Sequence, residues 1–336
     1  MPRTATLRAA TLHDVAREAG VSLITASRAL SNPKLVSEST IERVREAARR
    51  TGYIPNLLAG GLKSKRSMTV AGLVPIISVP QFLPTVQALT EALDAQGYQL
   101  ILGQSGYDHA REEKLIATMM GRRPDGIVVT GLVHSARARE QLQRLGLPVV
   151  ETWDLSERPV DMLVGFSHLK VGSAVAGFFL SRGWQRVGIA TGDDDRAQQR
   201  REGFLAAIGS DVPTATVPAP SNLALGRRAL AELLQQDPQL RAVCCSSDGL
   251  AQGVLVEAQA RGLRVPEDLA VCGFGDADFA AHLRPSLTTV HVDGPQIGRL
   301  AAQLIIDRCN GRTVEHPIID LGFRIVERES TGGRAA

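Results

Sequence analysis

Residues 22–28 place hydroxyl, apolar and guanidinium groups within two turns of a predicted helix. Three hydroxyl side chains fit contacts to phosphate oxygens, namely Ser22, Thr25 and Ser27. Three longer side chains fit contacts to base edges, namely Leu23, Ile24 and Arg28. Arg28 can pair bidentately with guanine, whereas Leu23 and Ile24 offer only apolar contact, for example to thymine methyl groups. This chemistry is typical of sequence recognition in the major groove of double-stranded DNA.

The segment DVAREAGVSLITASRAL, residues 14–30, predicts two short helices on either side of one glycine. Gly20 tolerates the left-handed backbone that ends the first helix, and Ser22 is placed to cap the second. The apolar side of the second helix is formed at i, i+3 and i+4 by Ala26, Ala29 and Leu30. An exposed Leu-Ile pair could instead pack against protein, but its position opposite this apolar side favours a helix-turn-helix that docks on DNA.

A second set of polar and aromatic residues follows the predicted strands of the long remaining chain. Its members are Ser78, Phe82, Glu151, Trp153, His168, Arg196, Arg200, Ser247 and Asp248. An arginine such as Arg200 suits bidentate binding of a carboxylate or phosphate. Asp248 and Glu151 can accept hydrogen bonds from sugar hydroxyls, although Asp248 is equally suited to cap a helix. The set predicts a site for a small polar ligand.

Apolar strand patterns alternate with amphipathic helical patterns from Met68 onward, which favours parallel sheets covered on both faces. The predicted strands are 69–75, 98–104, 126–131, 147–152, 162–166, 186–192, 242–247, 269–275 and 287–292. The predicted helices include 84–96, 109–121, 169–183, 197–208, 222–236, 248–262 and 294–309. This number of strands predicts two Rossmann-like lobes, with ligand bound between them beyond the carboxyl ends of the strands.

The same patterns predict an all-α head joined to this α/β body. The predicted domains are a helix-turn-helix domain at 1–55, a hinge at 56–67, a body at 68–330 and a tail at 331–336. Pro55 stops the third helix of the head, and Asn56 can start another. Because that short segment contains Gly60 and Gly61, we expect its helix to form only against a partner.

Charge and composition agree with a nucleic-acid module attached to a soluble body. Residues 1–66 hold 12 Lys/Arg against 5 Asp/Glu, whereas the remainder holds 26 against 30. The four cysteines form no CxxC pair and predict core packing, and the Asp193–Asp195 run predicts solvated surface, so no metal ligands are expected. The sequence shows no signal peptide and no run of transmembrane length, so we expect a cytoplasmic protein without membrane partners.

The head motif VAREAGVSLITASRAL, followed by YIPN and an Ala-x-x-Leu-Lys segment, resembles the LacI/GalR family of bacterial transcription regulators. The resemblance implies a homodimer on a pseudo-palindromic operator and an effector-binding, dimerising body of the periplasmic-binding-protein type. It also implies that Leu62 is an apolar wedge in the minor groove, with Lys63 contacting the groove beside it. Asn56 and Ala59 are implied to lie at the surface of the DNA or of the paired hinges.

Details of the hinge and the body resemble the gluconate-operon repressor branch of that family. These are Glu151 after Pro-Val-Val, the hinge sequence and the Leu-Gly-Phe ending at 321–323, whereas Arg200 before Gly203–Phe204 matches an arginine that members of the whole family commonly use. The sequence Gly273-Phe274-Gly275-Asp276 departs from the common Gly-aromatic-Asp pattern, so the acidic position is shifted or lost. A repressor of sugar-acid catabolism is implied, with gluconate, 6-phosphogluconate or 2-ketogluconate as effector and no other cofactor.

Three alternatives differ in class: a regulator of another carbohydrate pathway, a non-regulatory sugar-binding protein, and an enzyme. The basic head counts against the second alternative. No G-x-G-x-x-G follows the first strand, and no P-loop or G-x-S-x-G motif occurs, so we expect no catalytic residues.

Overall fold

The computed structural model describes residues 10–54 and 66–332. The chain divides into two compact units, with the boundary along the sequence between Ser67 and Met68. Outside the described ranges lie Pro55, Gly60 and Gly61 of the predicted hinge and the four residues with implied DNA or hinge contacts, namely Asn56, Ala59, Leu62 and Lys63. The roles that the family resemblance implies for them stay predictions.

Residues 10–54 of the first unit form three α-helices: α1 (Leu12–Ala19), α2 (Leu23–Ser31) and α3 (Glu38–Thr51). Thr11 caps α1, and Gly20 ends it with a φ of 63° in the left-handed region. Ser22 caps α2 through its hydroxyl, as predicted. A small apolar core is formed by Val15, Ala16, Ala19, Ala26, Ala29, Val44 and Ala47. The helix-turn-helix expected from the sequence is confirmed.

The second unit contains two six-stranded sheets, one in each lobe. The first lobe has the strand order β11-β5-β4-β3-β1-β2. Its strands are β1 (Thr69–Val74), β2 (Gln99–Gln104), β3 (Gly126–Thr130), β4 (Val149–Thr152), β5 (Met162–Gly165) and β11 (Ile318–Asp320). The second lobe has the order β12-β10-β9-β8-β6-β7. Its strands are β6 (Val187–Gly192), β7 (Thr214–Val217), β8 (Ala242–Cys245), β9 (Ala270–Phe274), β10 (Thr288–His291) and β12 (Arg324–Val326).

Helices cover these sheets. They are α4 (Leu83–Asp94), α5 (His109–Met120), α6 (Ala136–Leu145), α7 (His168–Ser181), α8 (Asp195–Ile208), α9 (Leu223–Gln236), α10 (Asp248–Ala260) and α11 (Gly294–Cys309). The central strands, such as β4 and β6, are buried along their whole length, because helices cover them. The expected pair of doubly wound lobes is confirmed.

Three strands were not predicted from the sequence, and each lies at the edge of its sheet: β7, β11 and β12. They are only three or four residues long, and exposed positions interrupt each of them. Their apolar signal is therefore too weak to predict a strand. With β11 in the first sheet and β12 in the second, the chain passes between the lobes three times within residues 66–332.

No helix among the described residues is long and apolar enough to cross a membrane. The four cysteines are free thiols, and Cys245 and Cys272 are buried in strands β8 and β9, as core packing requires.

Candidate functional site

The exposed face of α2 carries the residues that the sequence assigns to DNA. Leu23 and Ile24 are 38% and 64% exposed, so these two adjacent side chains form an apolar pair on the surface of α2. The Ser22 hydroxyl accepts a hydrogen bond from the Thr25 backbone at 3.1 Å and lies 2.8 Å from the Thr25 hydroxyl. Both hydroxyls lie where α2 begins, so the N-terminal end of this helix combines polar groups with the exposed Leu-Ile pair.

Arg28 differs from several other arginines of the head. Arg17 lies 2.7 Å from Asp14, and Arg50 lies near both Glu46 and Glu18. Among residues 10–54, by contrast, no carboxylate lies within ion-pairing distance of Arg28, which is exposed near the end of α2. Its guanidinium therefore remains available for a guanine base or a phosphate.

A cavity of about 340 Å³ opens between the two lobes of the second unit. Its lining residues come from segments that follow the carboxyl ends of strands in both sheets, as expected for doubly wound sheets. Eight of the nine predicted ligand-binding residues line it: Ser78, Phe82, Trp153, His168, Arg196, Arg200, Ser247 and Asp248. A volume of this size suits a small ligand.

Arg200 of α8 is held in place by three neighbours. Its Nη1 atom donates to Nδ1 of His168 at 2.9 Å, and its Nη2 atom donates to the Ser246 carbonyl at 2.9 Å. The guanidinium stacks on Phe274, with 4.1 Å between its carbon and the ring centroid. Its Nε–H is buried and has no hydrogen-bond partner among the described residues. A buried donor of this kind is costly unless something else accepts its hydrogen bond.

His168 is neutral, and its tautomer follows from its contacts. Its Nε2 atom lies 2.9 Å from the Trp153 carbonyl, which can only accept, so Nε2 carries the proton. Nδ1 is then free to accept from Arg200. Burial and the charge of Arg200 hold the pKa of His168 well below its usual range. Burial also lowers the pKa of Arg200 to about 10, so this guanidinium stays charged at neutral pH.

Close helix packing brings His168 and Arg200 together. A Cβ on Gly172 of α7 would lie 1.9 Å from the Arg200 carbonyl, and one on Gly203 of α8 would lie 2.0 Å from the Leu169 carbonyl. Only glycine fits at such contacts, because any side chain would overlap the neighbouring backbone. The close approach of the two helices therefore explains why Gly203, three residues after Arg200, is a glycine.

Arg196 extends from the second lobe toward the first. Its guanidinium carbon lies 5.1 Å from the ring centroid of Phe82, and its Nη1 atom is buried without a hydrogen-bond partner among the described residues. Phe82 packs edge-on against Trp153 at 5.1 Å, and the Trp153 indole donates to Thr85 at 3.0 Å. One wall of the cavity is therefore aromatic, with a guanidinium placed over it.

Acceptor groups of the second lobe also line the cavity. The Asp248 carboxylate accepts from the Thr289 hydroxyl at 2.6 Å and from the Ala277 backbone at 2.7 Å. Burial raises the pKa of Asp248 to about 6. The helix cap of α10 is Ser247, whose hydroxyl accepts from Leu250 at 3.2 Å. Asp248 is therefore not the cap, which was the alternative role that the sequence left open for it.

Glu151 does not line the cavity, contrary to the sequence prediction. Its side chain is fully buried, and its two carboxylate oxygens accept from the backbones of Val133 and Val160 at 2.6 and 2.7 Å. Arg139 lies 3.4 Å away. Glu151 lies within β4 rather than beyond its end, and its carboxylate fixes the two neighbouring loops that contain Val133 and Val160.

Asp276 also points elsewhere. It is hydrogen-bonded to Arg328 and His291, both at 2.8 Å. The cavity is therefore lined at this point by Phe274, Gly275 and Ala277. The carboxylate of Asp276 does not reach it, in agreement with the shifted acidic position in the sequence.

Several lining residues were missed by the sequence reading, notably Tyr107, Asp194, Ser221, Asn222 and Ser246. Ser221 and Asn222 follow β7, which was not predicted. Tyr107 follows a strand that was predicted, so the rule that ligands bind beyond strand ends could have found it.

Comparison with known proteins covers both units. A family model described as bacterial regulatory proteins, lacI family, matches residues 11–56. A model described as a periplasmic binding protein-like domain matches residues 176–331. The HTH-type transcriptional regulator GntR of Pseudomonas aeruginosa is 38% identical over 330 residues, which cover 96% of this chain and 95% of that protein.

Two crystal structures are similar in fold and sequence. A LacI family transcriptional regulator from Silicibacter pomeroyi has a TM-score of 0.90 and 33% identity over 97% of this chain and all of that chain. The transcription regulator GntR from Chromobacterium violaceum has a TM-score of 0.76 and 35% identity, covering 79% of this chain and all of that one.

Proposed function

The chain belongs to the LacI family of bacterial DNA-binding transcriptional regulators, and we propose that it represses sugar-acid catabolism genes under the control of a sugar acid bound between its lobes. The effector would be gluconate, 6-phosphogluconate or 2-ketogluconate. The chain would act as a homodimer on a pseudo-palindromic operator. Its curated relative in P. aeruginosa carries the name of a transcriptional regulator, which supports the regulatory class.

The observation that carries the proposed effector class is a pair of unsatisfied guanidinium donors on the two arginines that line the cavity. Arg196 Nη1 and Arg200 Nε are buried and have no hydrogen-bond partners among the described residues. A carboxylate or phosphate accepts hydrogen bonds from arginine in a planar, bidentate geometry. Acceptors for the hydroxyls of the same ligand are offered by Asp248 and the neighbouring Ser247.

The DNA-binding half of the proposal rests on α2. Its exposed Leu23, Ile24 and Arg28 would enter the major groove of each half-site, while Ser22, Thr25 and Ser27 contact phosphates. Two such helices read two half-sites, which is why a homodimer is proposed. Closure of the lobes around an effector would then change how the two hinges approach the DNA.

The effector class is tested by calorimetric titration of the full chain with gluconate and with sorbitol. Sorbitol is a matched control, because it keeps the six-carbon polyol and replaces the carboxylate with an alcohol. Hydrogen bonds to charged groups contribute about 1.5–3 kcal/mol, so we expect gluconate to bind at least about tenfold more tightly. The two other sugar acids are titrated in the same way, to rank the three effectors.

Arg200→Gln should remove this preference for the acid, whereas Arg228→Gln, on the exposed face of α9, should keep it. Equal affinity for gluconate and sorbitol would rule out recognition of the carboxylate. Failure of all three acids to bind would rule out the proposed effector class, while membership of the regulator family would stand.

A further inference from the structure

A second cavity of about 350 Å³ lies beside the first and has the opposite electrostatic character. Six carboxylates line it, together with two histidines and a single arginine, Arg196. The acidic residues are Asp108, Glu112, Asp154, Asp193, Asp194 and Asp195. Such a concentration of negative charge attracts cations. The proposed effector does not account for these groups.

Three side chains in this cavity offer metal ligands from two different lobes. His109, at the start of α5, and His134, after β3, belong to the first lobe, and Asp195, at the start of α8, belongs to the second. One ligand atom of each lies within 4.8 Å of the other two. The sequence predicted solvated surface at Asp195 and no metal ligands, because the three residues come from separate segments of the chain.

The distances fit ligands that share an ion. Nε2 of His109 lies 3.4 Å and Nε2 of His134 lies 3.7 Å from the same oxygen of Asp195. Both separations exceed an ordinary hydrogen bond. Metal–ligand bonds of about 2.0–2.1 Å at tetrahedral angles place ligand atoms about 3.3 Å apart.

The two imidazoles are also arranged before any ion binds. Their rings meet edge to face, with centroids 4.5 Å apart. The Glu112 carboxylate accepts from the His134 backbone at 3.4 Å.

We propose that His109, His134 and Asp195 form a binding site for a transition-metal dication of the Zn²⁺ class that bridges the two lobes. Two imidazoles and one carboxylate are a ligand set that suits Zn²⁺, whereas Mg²⁺ prefers oxygen ligands alone. The ion would leave a coordination position for water. It would also fix the start of α8, the helix that carries Arg196 and Arg200, against the first lobe.

The test is calorimetric titration of the chelator-treated full chain with ZnCl₂ in the absence of DNA and sugar acids. We expect one equivalent per chain to bind, with no comparable heat from MgCl₂. His134→Gln and Asp195→Asn should each weaken binding at least about tenfold, since loss of even an outer partner of a ligand costs 10- to 100-fold. The matched controls His316→Gln and Asp211→Asn alter exposed residues elsewhere and should not change binding.

Absorption of the Co²⁺-substituted chain supplies a second readout, because a low-coordinate site gives intense visible bands that an octahedral aqua ion lacks. The proposal is overturned if Zn²⁺ binds without defined stoichiometry, or binds equally well to His134→Gln. An Asp195→Asn variant that binds normally would show that no ion bridges the lobes. Because these measurements use neither effector nor DNA, their failure leaves the proposed function untouched.

Discussion

At the scale of single residues, the cavity between the lobes is organised around one charged side chain. Arg200 is fixed by His168, by the Ser246 carbonyl and by the Phe274 ring, yet it keeps an unused Nε–H. The neutral His168 can accept from Arg200 only because its other nitrogen donates to Trp153. A guanidinium held in this way loses little conformational entropy when it binds an anion.

Asp248 gives a prediction about pH at the same scale. Burial raises its pKa from 3.8 to about 6, so the folded chain holds the proton more tightly than the unfolded chain. The stability that this proton contributes is fully present below about pH 4 and is lost as the pH rises through about 6. The difference corresponds to about 3 kcal/mol in the free energy of unfolding.

We therefore expect the unfolding free energy of the natural chain, relative to Asp248→Asn, to fall by up to about 3 kcal/mol between pH 4 and pH 7. Urea denaturation of both proteins at several pH values measures this difference. The asparagine does not titrate, so its side chain contributes no such change. A difference that stays constant over this range would show that the carboxyl has an ordinary pKa.

At the scale of elements, the approach of α7 to α8 places the ligand-binding arginine. Gly172→Ala would put a methyl group 1.9 Å from the Arg200 carbonyl, so one helix must move. Overpacking of this kind costs about 1–3 kcal/mol. We expect Gly172→Ala to lower the melting temperature and to weaken ligand binding, because the bond between His168 and Arg200 is stretched.

Gly177→Ala, on the same helix, is the matched control. Nothing lies within 4 Å of a Cβ at that position, and the residue is exposed. Alanine is favoured over glycine in a helix by up to about 1 kcal/mol, so this variant should be as stable as the natural chain or slightly more stable. Thermal melts and gluconate titrations of both variants compare the two positions directly. Equal behaviour of the two alanines would show that close helix packing does not position Arg200.

At the scale of the whole molecule, the chain separates a basic head from a mildly acidic body. Residues 1–66 carry 12 Lys/Arg against 5 Asp/Glu. Binding of such a head to DNA releases counterions from phosphates, and 6–10 phosphate contacts reduce affinity about 10³- to 10⁵-fold between 50 and 200 mM salt. We expect a loss in this range for the full chain, measured by fluorescence anisotropy on a selected operator.

Arg28→Gln separates base contact from phosphate contact in the same assay. If Arg28 pairs with guanine, the variant should lose preference for the operator over random DNA while the salt dependence is kept. If it binds phosphate, affinity for both DNAs should fall and the salt slope should decrease by about 1. A natural chain whose affinity hardly changes with salt would contradict the electrostatic role of the head.

The sequence by itself determined the features that local chemistry specifies. Gly20 and Ser22 fix the turn between α1 and α2, because a left-handed residue and a helix cap act over a few neighbouring residues. Apolar runs predicted the central strands, because every residue of such a strand is buried between helices. The rule that ligands bind beyond strand ends then selected eight of the residues that line the cavity.

Only the tertiary structure decided which way individual side chains point and which distant groups meet. Glu151 was predicted by the same rule as Trp153, yet it turns into the protein to satisfy two backbone N–H groups. His109, His134 and Asp195 come together only because two sheets and their connecting loops converge on one cleft. Periodicity along a chain records burial but not distances between remote segments, since those depend on how complete lobes pack against each other.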